Sequence, residues 1–583
     1  MRPLLVDCYA LGGFADSLRS LATTVELSTA VVAALAVRPD VLGVVGPAAG
    51  TLVQARVALV ARLRALARVV ASCAQAYTAV EHRVLASFSA SFTGSGAGAV
   101  GTAADADVLD LLGAGEPDEV EALLTASPAL AVLVLRAGAA PRAGSDAARL
   151  ADLSADGSLL AVHRFLQRLE PRRLALLALL HPRLVAEAPS APVAARVRAS
   201  RVLVAADLDA VLVQQAVATE PATLETLGRR IAQRREWLTG SVLLRDARGR
   251  AVRRRRQLLG FDPRGDGQVI ELLGDADRAE HLAVFVPGTG SDLDRAEGTV
   301  RRMVPFVQAD PRLVVVTWQG ADFPDQPFDD GVLPLREHVL AAAYRDAADV
   351  AGPQLARDVA GLHLSLPVPA EDVSVLGHSY GGSVVGSAQL HGLDADRVVH
   401  VASAGAYLRM ATEPAAGRPA VFSMTAYDDP IRLAQGHAVS DAAARWRAMS
   451  PAMLDPAAGA VARLASHLPG APRAIGHGVD PDLLPGVVRL DTGRFDDSCR
   501  LVSGHSGMFE PGSTAWRNLL ATMDGGRVEV LEPQRWSSHL EPGALAVRHD
   551  GVRLGVDVRV PHYVVDRSPW SDPAYRAPTL AIR

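Results

Sequence analysis

Apolar positions change their period near residue 257, and the change divides the chain. Before it they recur every three or four residues, the mark of helices with one buried face. Two such helices are predicted, from about Phe14 to Val37 and from about Thr51 to Leu85. Val45–Gly50 (VGPAAG) breaks the pattern between them with Pro and Gly, so residues 1–95 read as an αα-hairpin. The Gly/Ser/Ala-rich stretch Ser89–Ala104 reads as a flexible linker. Asp105–Trp237, rich in Ala and Leu with Arg and Glu on helical faces, predicts several packed helices and completes a linker-and-helical region over 96–240.

From Gln257 short β-branched runs alternate with longer helical ones. Strands are predicted at Gln268–Leu272, Leu282–Val286, Leu313–Thr317, Val373–Leu376, Arg397–Val401, Ala420–Met424 and Val487–Leu490. Helices are predicted at Asp294–Val307, Arg336–Leu362, Tyr380–Leu390 and Ser513–Met523. Strand and helix in alternation imply an α/β domain over 241–525, a doubly wound and mostly parallel sheet preceded by an all-α region. Such sheets hold their ligands at the carboxyl ends of the strands. In 526–583 the alternation from Gly551 to Val565 predicts a small hairpin or a cover for the site, with no chemistry attached.

Composition narrows the function classes. A chain of 583 residues exceeds one ordinary core, and 49% apolar with 21% charged residues is a globular mixture. The net charge of −5 gives no reason to expect a nucleic acid or an anionic membrane as partner. All 59 basic residues are Arg, the codon usage of a GC-rich genome, and the run Arg253–Arg256 reads as a solvated loop or strand edge. Cys8, Cys73 and Cys499 lack CxxC spacing, which excludes a disulfide framework or a Cys-based zinc site. The opening MRPLLVDCYALGGFADSLRS is broken by Asp7 too early for a secretory signal, and Leu52–Val70 carries Arg56, Arg62, Arg64 and Arg68. Neither a conventional export signal nor a transmembrane helix is therefore expected.

The chemistry concentrates at Asp372–Gly382 (DVSVLGHSYGG), where a buried strand runs into Gly377-His378-Ser379-Tyr380-Gly381 and then a small-residue helix. This is G-x-S-x-G between strand and helix, a turn that exposes a serine nucleophile. The glycines leave room for a strained backbone, and the helix amino terminus offers N–H groups to an oxyanion. Leu282–Gly290 (LAVFVPGTG) supplies the second half of that hole. Gly288 permits close approach, and the amide of Thr289 or Gly290 is the donor, paired with that of Tyr380. Gly288, Gly290 and His378 are the substrate-binding candidates.

Serine needs a base and an orienting acid, following in the order Ser, Asp/Glu, His. The strand Ala420–Met424 leads into Asp428-Asp429-Pro430. Asp429 is favoured as the acid because the Asp-Pro step forces an extended exit, and Asp428 stays open. Of the histidines that follow, His505 lies between the last predicted strand and the closing helix, where the base belongs; His477 is the runner-up. Ser379, Asp429 and His505 would carry acyl transfer through an acyl-enzyme, a chemistry that requires neither a metal nor an organic cofactor.

Leu258–Asp262, Val286–Gly290, Gly377–Gly382, Asp429-Pro430 and Gly504–Gly507 followed by Pro511–Ser513 resemble the actinobacterial α/β hydrolases grouped as DUF1023, over roughly 200–525. The resemblance implies an α/β-hydrolase fold and a Ser/Asp/His triad, and fixes no substrate. The triad itself reads as a serine hydrolase of an ester, thioester or lipid-like acyl group; a peptidase or amidase on the same triad, and a non-catalytic scaffold or secretion-associated interaction protein of this fold, are the alternatives. Trp318–Pro324 departs from the aromatic or Tyr-containing loop of that family. The amino-terminal hairpin is similar to the WXG100-like hairpins of type VII secretion substrates. Tyr77-Thr-Ala-Val-Glu81 matches their Y-x-x-x-D/E signal, whereas the Trp-x-Gly turn is missing. That likeness implies either export by a non-Sec route or a cytoplasmic enzyme with a hairpin that binds a helical partner protein.

Overall fold

Runs of Val, Leu and Ile with no exposed face have to be covered on both sides, and they form the centre of the molecule. The computed structural model describes residues 108–324, 345–369, 372–407, 419–426, 429, 431, 477–478, 480–484, 486–498, 500–531, 537–549, 552–564 and 577–582. The predicted amino-terminal hairpin, its linker and the Tyr77 signal lie outside the described residues, as do Asp428 and the 336–344 part of a predicted helix.

The strands are β1 (Ser241–Arg245), β2 (Ala251–Arg255), β3 (Leu258–Asp262), β4 (Gln268–Leu273), β5 (His281–Val286), β6 (Leu313–Gln319), β7 (Val373–His378), β8 (Arg397–Val401), β9 (Ala420–Met424) and β10 (Val488–Arg489). Eight of them form one sheet in the order β10-β9-β8-β7-β5-β6-β4-β3. Pairing is parallel from β10 to β6 and antiparallel for β6–β4 and β4–β3. The chain moves outward from β5 to β6, then returns to place β7 on the other side of β5. That reversal opens a crevice between the carboxyl ends of β5 and β7.

Six helices matter for the site: α1 (Val193–Val217), α2 (Pro221–Thr239), α3 (Ala296–Ala309), α4 (Asp346–Ser365), α5 (Tyr380–Leu390) and α6 (Thr514–Asp524). One sheet face packs Val284, Val316, Val375 and Val398 against α4 and α5. The other packs Phe285, Val315, Leu376 and Val399 against α3 and α6. Shorter helices between Pro117 and Ala186 pack around α1, and their apolar cluster runs on to Phe261 and Val269 of β3 and β4. One compact unit spans Asp105–Arg583, on both sides of the boundary expected at 240. Arg196 of α1 ties the layers by donating to the carbonyls of Leu259 and Pro189.

The four arginines expected in a solvated loop or strand edge lie along β2, one strand of a two-stranded ribbon, and just past it, and of the four only Arg256 is buried. Arg253 and Arg255 are exposed, and Arg254 pairs with Asp275. Arg256, 3% exposed, meets Glu271 through two bonds (2.5 and 2.7 Å) and Glu297 at 2.8 Å. The hairpin expected in the carboxyl-terminal region exists, with Ser537–His549 and Val552–Val564 paired antiparallel. A second return was not expected: Arg527–Glu529 pairs with Thr579–Ala581. No single helix among the described residues is long and apolar enough to cross a membrane.

Candidate active site

β7 delivers Ser379 at the crevice. Its backbone has φ 57° and ψ −123°, a conformation that costs a non-glycine residue on the order of 1–3 kcal/mol. The next loop holds it there. The Ser379 N–H donates to the Val401 carbonyl (3.1 Å), and the Ser379 carbonyl accepts from Ala404 N (3.0 Å) and Gly382 N (3.1 Å). Ala402 and Tyr407, in that same loop, are the other non-glycine residues with positive φ among the described residues. A Cβ on Gly381 would stand 2.3 Å from the carbonyl oxygens of Val286 and Pro287, so only glycine lets α5 seat against β5. Tyr380 opens α5, and its amide lies at the positive end of the helix dipole.

The loop after β5 approaches as closely. A Cβ on Gly288 would be 2.6 Å from Ser379 Cβ and 3.0 Å from its Oγ. Gly290, one of the two candidate donors, gives its N–H to the Pro324 carbonyl (2.7 Å) and is thereby removed from that role. Thr289 N has no acceptor among the described residues. Ser291 Oγ–H donates to the Gly288 carbonyl at 2.7 Å, and Arg295 donates to the Gly290 carbonyl at 3.2 Å. The loop is thus braced on both sides of Thr289.

His505 and Asp429 meet across 76 positions of sequence. Nδ1 of His505 is 3.0 Å from each carboxylate oxygen of Asp429. Asp429 is 2% exposed, and its Oδ1 also accepts from Ile431 N at 2.9 Å. With Nδ1–H donating to this carboxylate, Nε2 is the ring nitrogen left with a lone pair. Among the described residues no three His, Cys, Asp or Glu side chains gather to hold a metal ion.

Residues 262–437 match the family model described as Alpha/beta hydrolase, a span that contains Ser379 and Asp429 and ends before His505. Together with the sheet order and its crevice, this decides the fold. It is the α/β-hydrolase fold. Two uncharacterized proteins of Mycobacterium tuberculosis, from strains CDC 1551 / Oshkosh and H37Rv, are each 32% identical over 154 residues. That match covers 24% of this chain and spans only 22% of each relative's length. Among solved structures, esterase PE8 is similar at 19% identity and a TM-score of 0.21, over 27% of this chain and 75% of that one. Esterase LipW from Mycobacterium marinum is similar at 13% identity and a TM-score of 0.20, over 37% of this chain and 76% of that one.

Other expected residues fall differently. His378, expected to contact substrate, is 5% exposed, and its Nε2 bonds to the His505 carbonyl at 2.9 Å. His477, the runner-up base, sits by α5 with Nδ1 3.0 Å from Ser383 Oγ and its ring against Tyr380. Its carbonyl accepts from Tyr407 N, and Asp429 is given to His505 instead. The Tyr380 phenol, raised in pKa chiefly by burial, accepts from Ala348 N at the start of α4. Its contribution at the crevice is therefore its main chain.

Three features had no sequence signal. Pro324 braces Gly290. Trp318 donates Nε1–H to Asp358 at 2.7 Å, beneath the loop that departs from the DUF1023 pattern. Arg302 lies over Phe509 at 5.0 Å, and Phe509 packs edge-on to His378. A cavity of about 1070 Å³ between α1 and the β3–β4 edge is lined by Arg196, Phe261, Ile270 and Asp358. Ser379 and His505 do not line it, so it is separate from the crevice.

Proposed function

We propose that the protein is a serine hydrolase that forms an acyl-enzyme on Ser379. The observation carrying this reading is the His505–Asp429 pair, held at 3.0 Å from both carboxylate oxygens, at the sheet end where Ser379 occupies its strained turn. A strained serine and a histidine–carboxylate pair at one sheet end are the parts that acyl transfer uses.

In the reaction, Ser379 Oγ attacks the acyl carbon as His505 Nε2 takes its proton. Asp429 stabilises the imidazolium without itself being protonated. The amides of Thr289 and Tyr380 donate to the oxyanion, a contribution of roughly 3–4 kcal/mol per donor in such sites. His505 then protonates the leaving group, and water, deprotonated by the same Nε2, releases the acid. Esters, thioesters and lipid-like acyl groups all suit this sequence of steps, and the ordered DUF1023-like motifs favour the same chemistry.

The test is turnover of short p-nitrophenyl esters by wild type, Ser379→Ala, His505→Ala and Asp429→Asn. Loss of about 10⁴-fold or more in the first two supports the reading. Unaltered turnover in a folded Ser379→Ala variant would sink it.

A further inference from the structure

We propose that His378 is a positioning residue for this reaction, its Nε2–H tying the main chain of His505 to the end of the nucleophile strand. The proposal rests on the acyl-transfer reading above and adds to it the element that sets base against nucleophile.

The bond is short and local to the chemistry. His378 immediately precedes Ser379, and its Nε2 lies 2.9 Å from the carbonyl oxygen of His505 itself. These residues are 127 positions apart, yet one hydrogen bond joins the neighbour of the nucleophile to the residue carrying the base. A carbonyl can only accept, so Nε2 of His378 carries the proton. The ring cannot swing away. It lies 4.7 Å from the His505 ring, edge-on to Phe509 at 5.2 Å and stacked with Phe285 at 6.5 Å.

The surroundings also keep this imidazole neutral. Burial, then the neighbouring His505, then Arg302 hold its pKa well below the usual histidine range. Neutrality matters because His505 becomes an imidazolium during turnover. A second cation 4.7 Å away would oppose that charge, whereas a neutral N–H donor anchors the loop without doing so. Gly504, with φ 73°, and Gly507 flank the base. The His378 bond and the Asp429 pair fix it from two directions.

A misplacement of about 1 Å costs on the order of 10²-fold in rate. Full-length wild type, His378→Leu and His378→Gln would be compared by amide hydrogen exchange over 503–509, fluorophosphonate labelling rate and the kcat against KM split. Gln can donate from a nitrogen at similar reach; Leu cannot. The Leu variant is expected to exchange faster in that segment and to lose about a hundredfold in kcat and labelling, with KM within about threefold. Gln is expected to restore both. Should Leu fail to fold, His378→Met replaces it, and selective ¹⁵N spectra of wild type must show His378 as the neutral Nε2–H tautomer from pH 5.5 to 8.

Unchanged exchange in the Leu variant, a rate loss that Gln does not restore, or a protonated His378 at pH 5.5 would overturn the proposal. A folded wild type that never labels overturns the hydrolase reading and this proposal's kinetic half together. Normal wild-type labelling with unchanged exchange in the Leu variant overturns this proposal alone.

Discussion

Replacing Gly288 by Ala adds one methyl group at the point where the β5 loop meets the nucleophile. That Cβ would sit 2.6 Å from Ser379 Cβ, whereas ordinary contact begins at 3.4 Å, so something must move by at least about 0.8 Å. The strained elbow is held by Val401 and Ala404 on its far side, and Ser379 cannot retreat freely. The shift is shared between Ser379 and the Thr289 amide, the pair whose spacing sets attack and oxyanion binding. At about 10²-fold in rate per ångström of misplacement, kcat/KM should fall by about 40-fold, or about 2.2 kcal/mol of barrier. Crowding a packed site should cost stability by about 1–3 kcal/mol, leaving the protein folded at 25 °C. Gly298→Ala is the control, since nothing lies within 4 Å of a Cβ there and the position is helical. It should match wild type in rate and gain up to about 1 kcal/mol in stability. The assay is p-nitrophenyl ester hydrolysis beside urea unfolding. Gly288→Ala turnover within twofold of wild type would refute the placement of Gly288 against the reacting serine.

Two further substitutions probe what holds the sheet. His400 on β8 is buried, with neither ring nitrogen bonded, and burial lowers its pKa to about 4 against a weak opposing pull from Asp482. Below pH 6.5 the unfolded chain takes up a proton that the folded one refuses until about pH 4, so this stability is full above 6.5 and drains on acidification. The loss approaches about 3 kcal/mol; His400→Leu should flatten the urea midpoint between pH 7 and 4.5, and an unchanged acid loss would contradict the assignment. Arg256→Ala strands Glu271, itself 2% exposed, and should destabilise by about 3–5 kcal/mol, whereas Arg256→Met with Glu271→Leu should recover most of it. A single substitution costing under 1 kcal/mol by urea unfolding would contradict that pairing.

The parallel core was legible because strands such as Leu313–Gln319 are buried at every position and open on an unbroken apolar run, here Leu313–Val316. The pairing of His505 with Asp429 was legible from the order of strands and the loop between the last strand and α6, with the Asp-Pro step singling out Asp429. Periodicity failed at β1 and β2, whose register sets Leu243 opposite Arg253, so neither strand shows a clean alternation of apolar and polar. The motif placed His378 beside the nucleophile and could not reveal its partner, because the His505 carbonyl is a main-chain atom of a distant loop. For the same reason Pro324 was invisible as the acceptor that occupies Gly290. Side-chain chemistry leaves marks in a sequence; main-chain acceptors supplied by tertiary contact do not.

The central claim is most directly tested by reaction with a fluorophosphonate, followed by mass mapping of the adduct, on wild type, Ser379→Ala and His505→Ala. The account predicts one adduct, on Ser379, absent from Ser379→Ala and formed far more slowly in His505→Ala. A folded wild type that forms no adduct, or one that is modified at a different serine with Ser379 untouched, would contradict it.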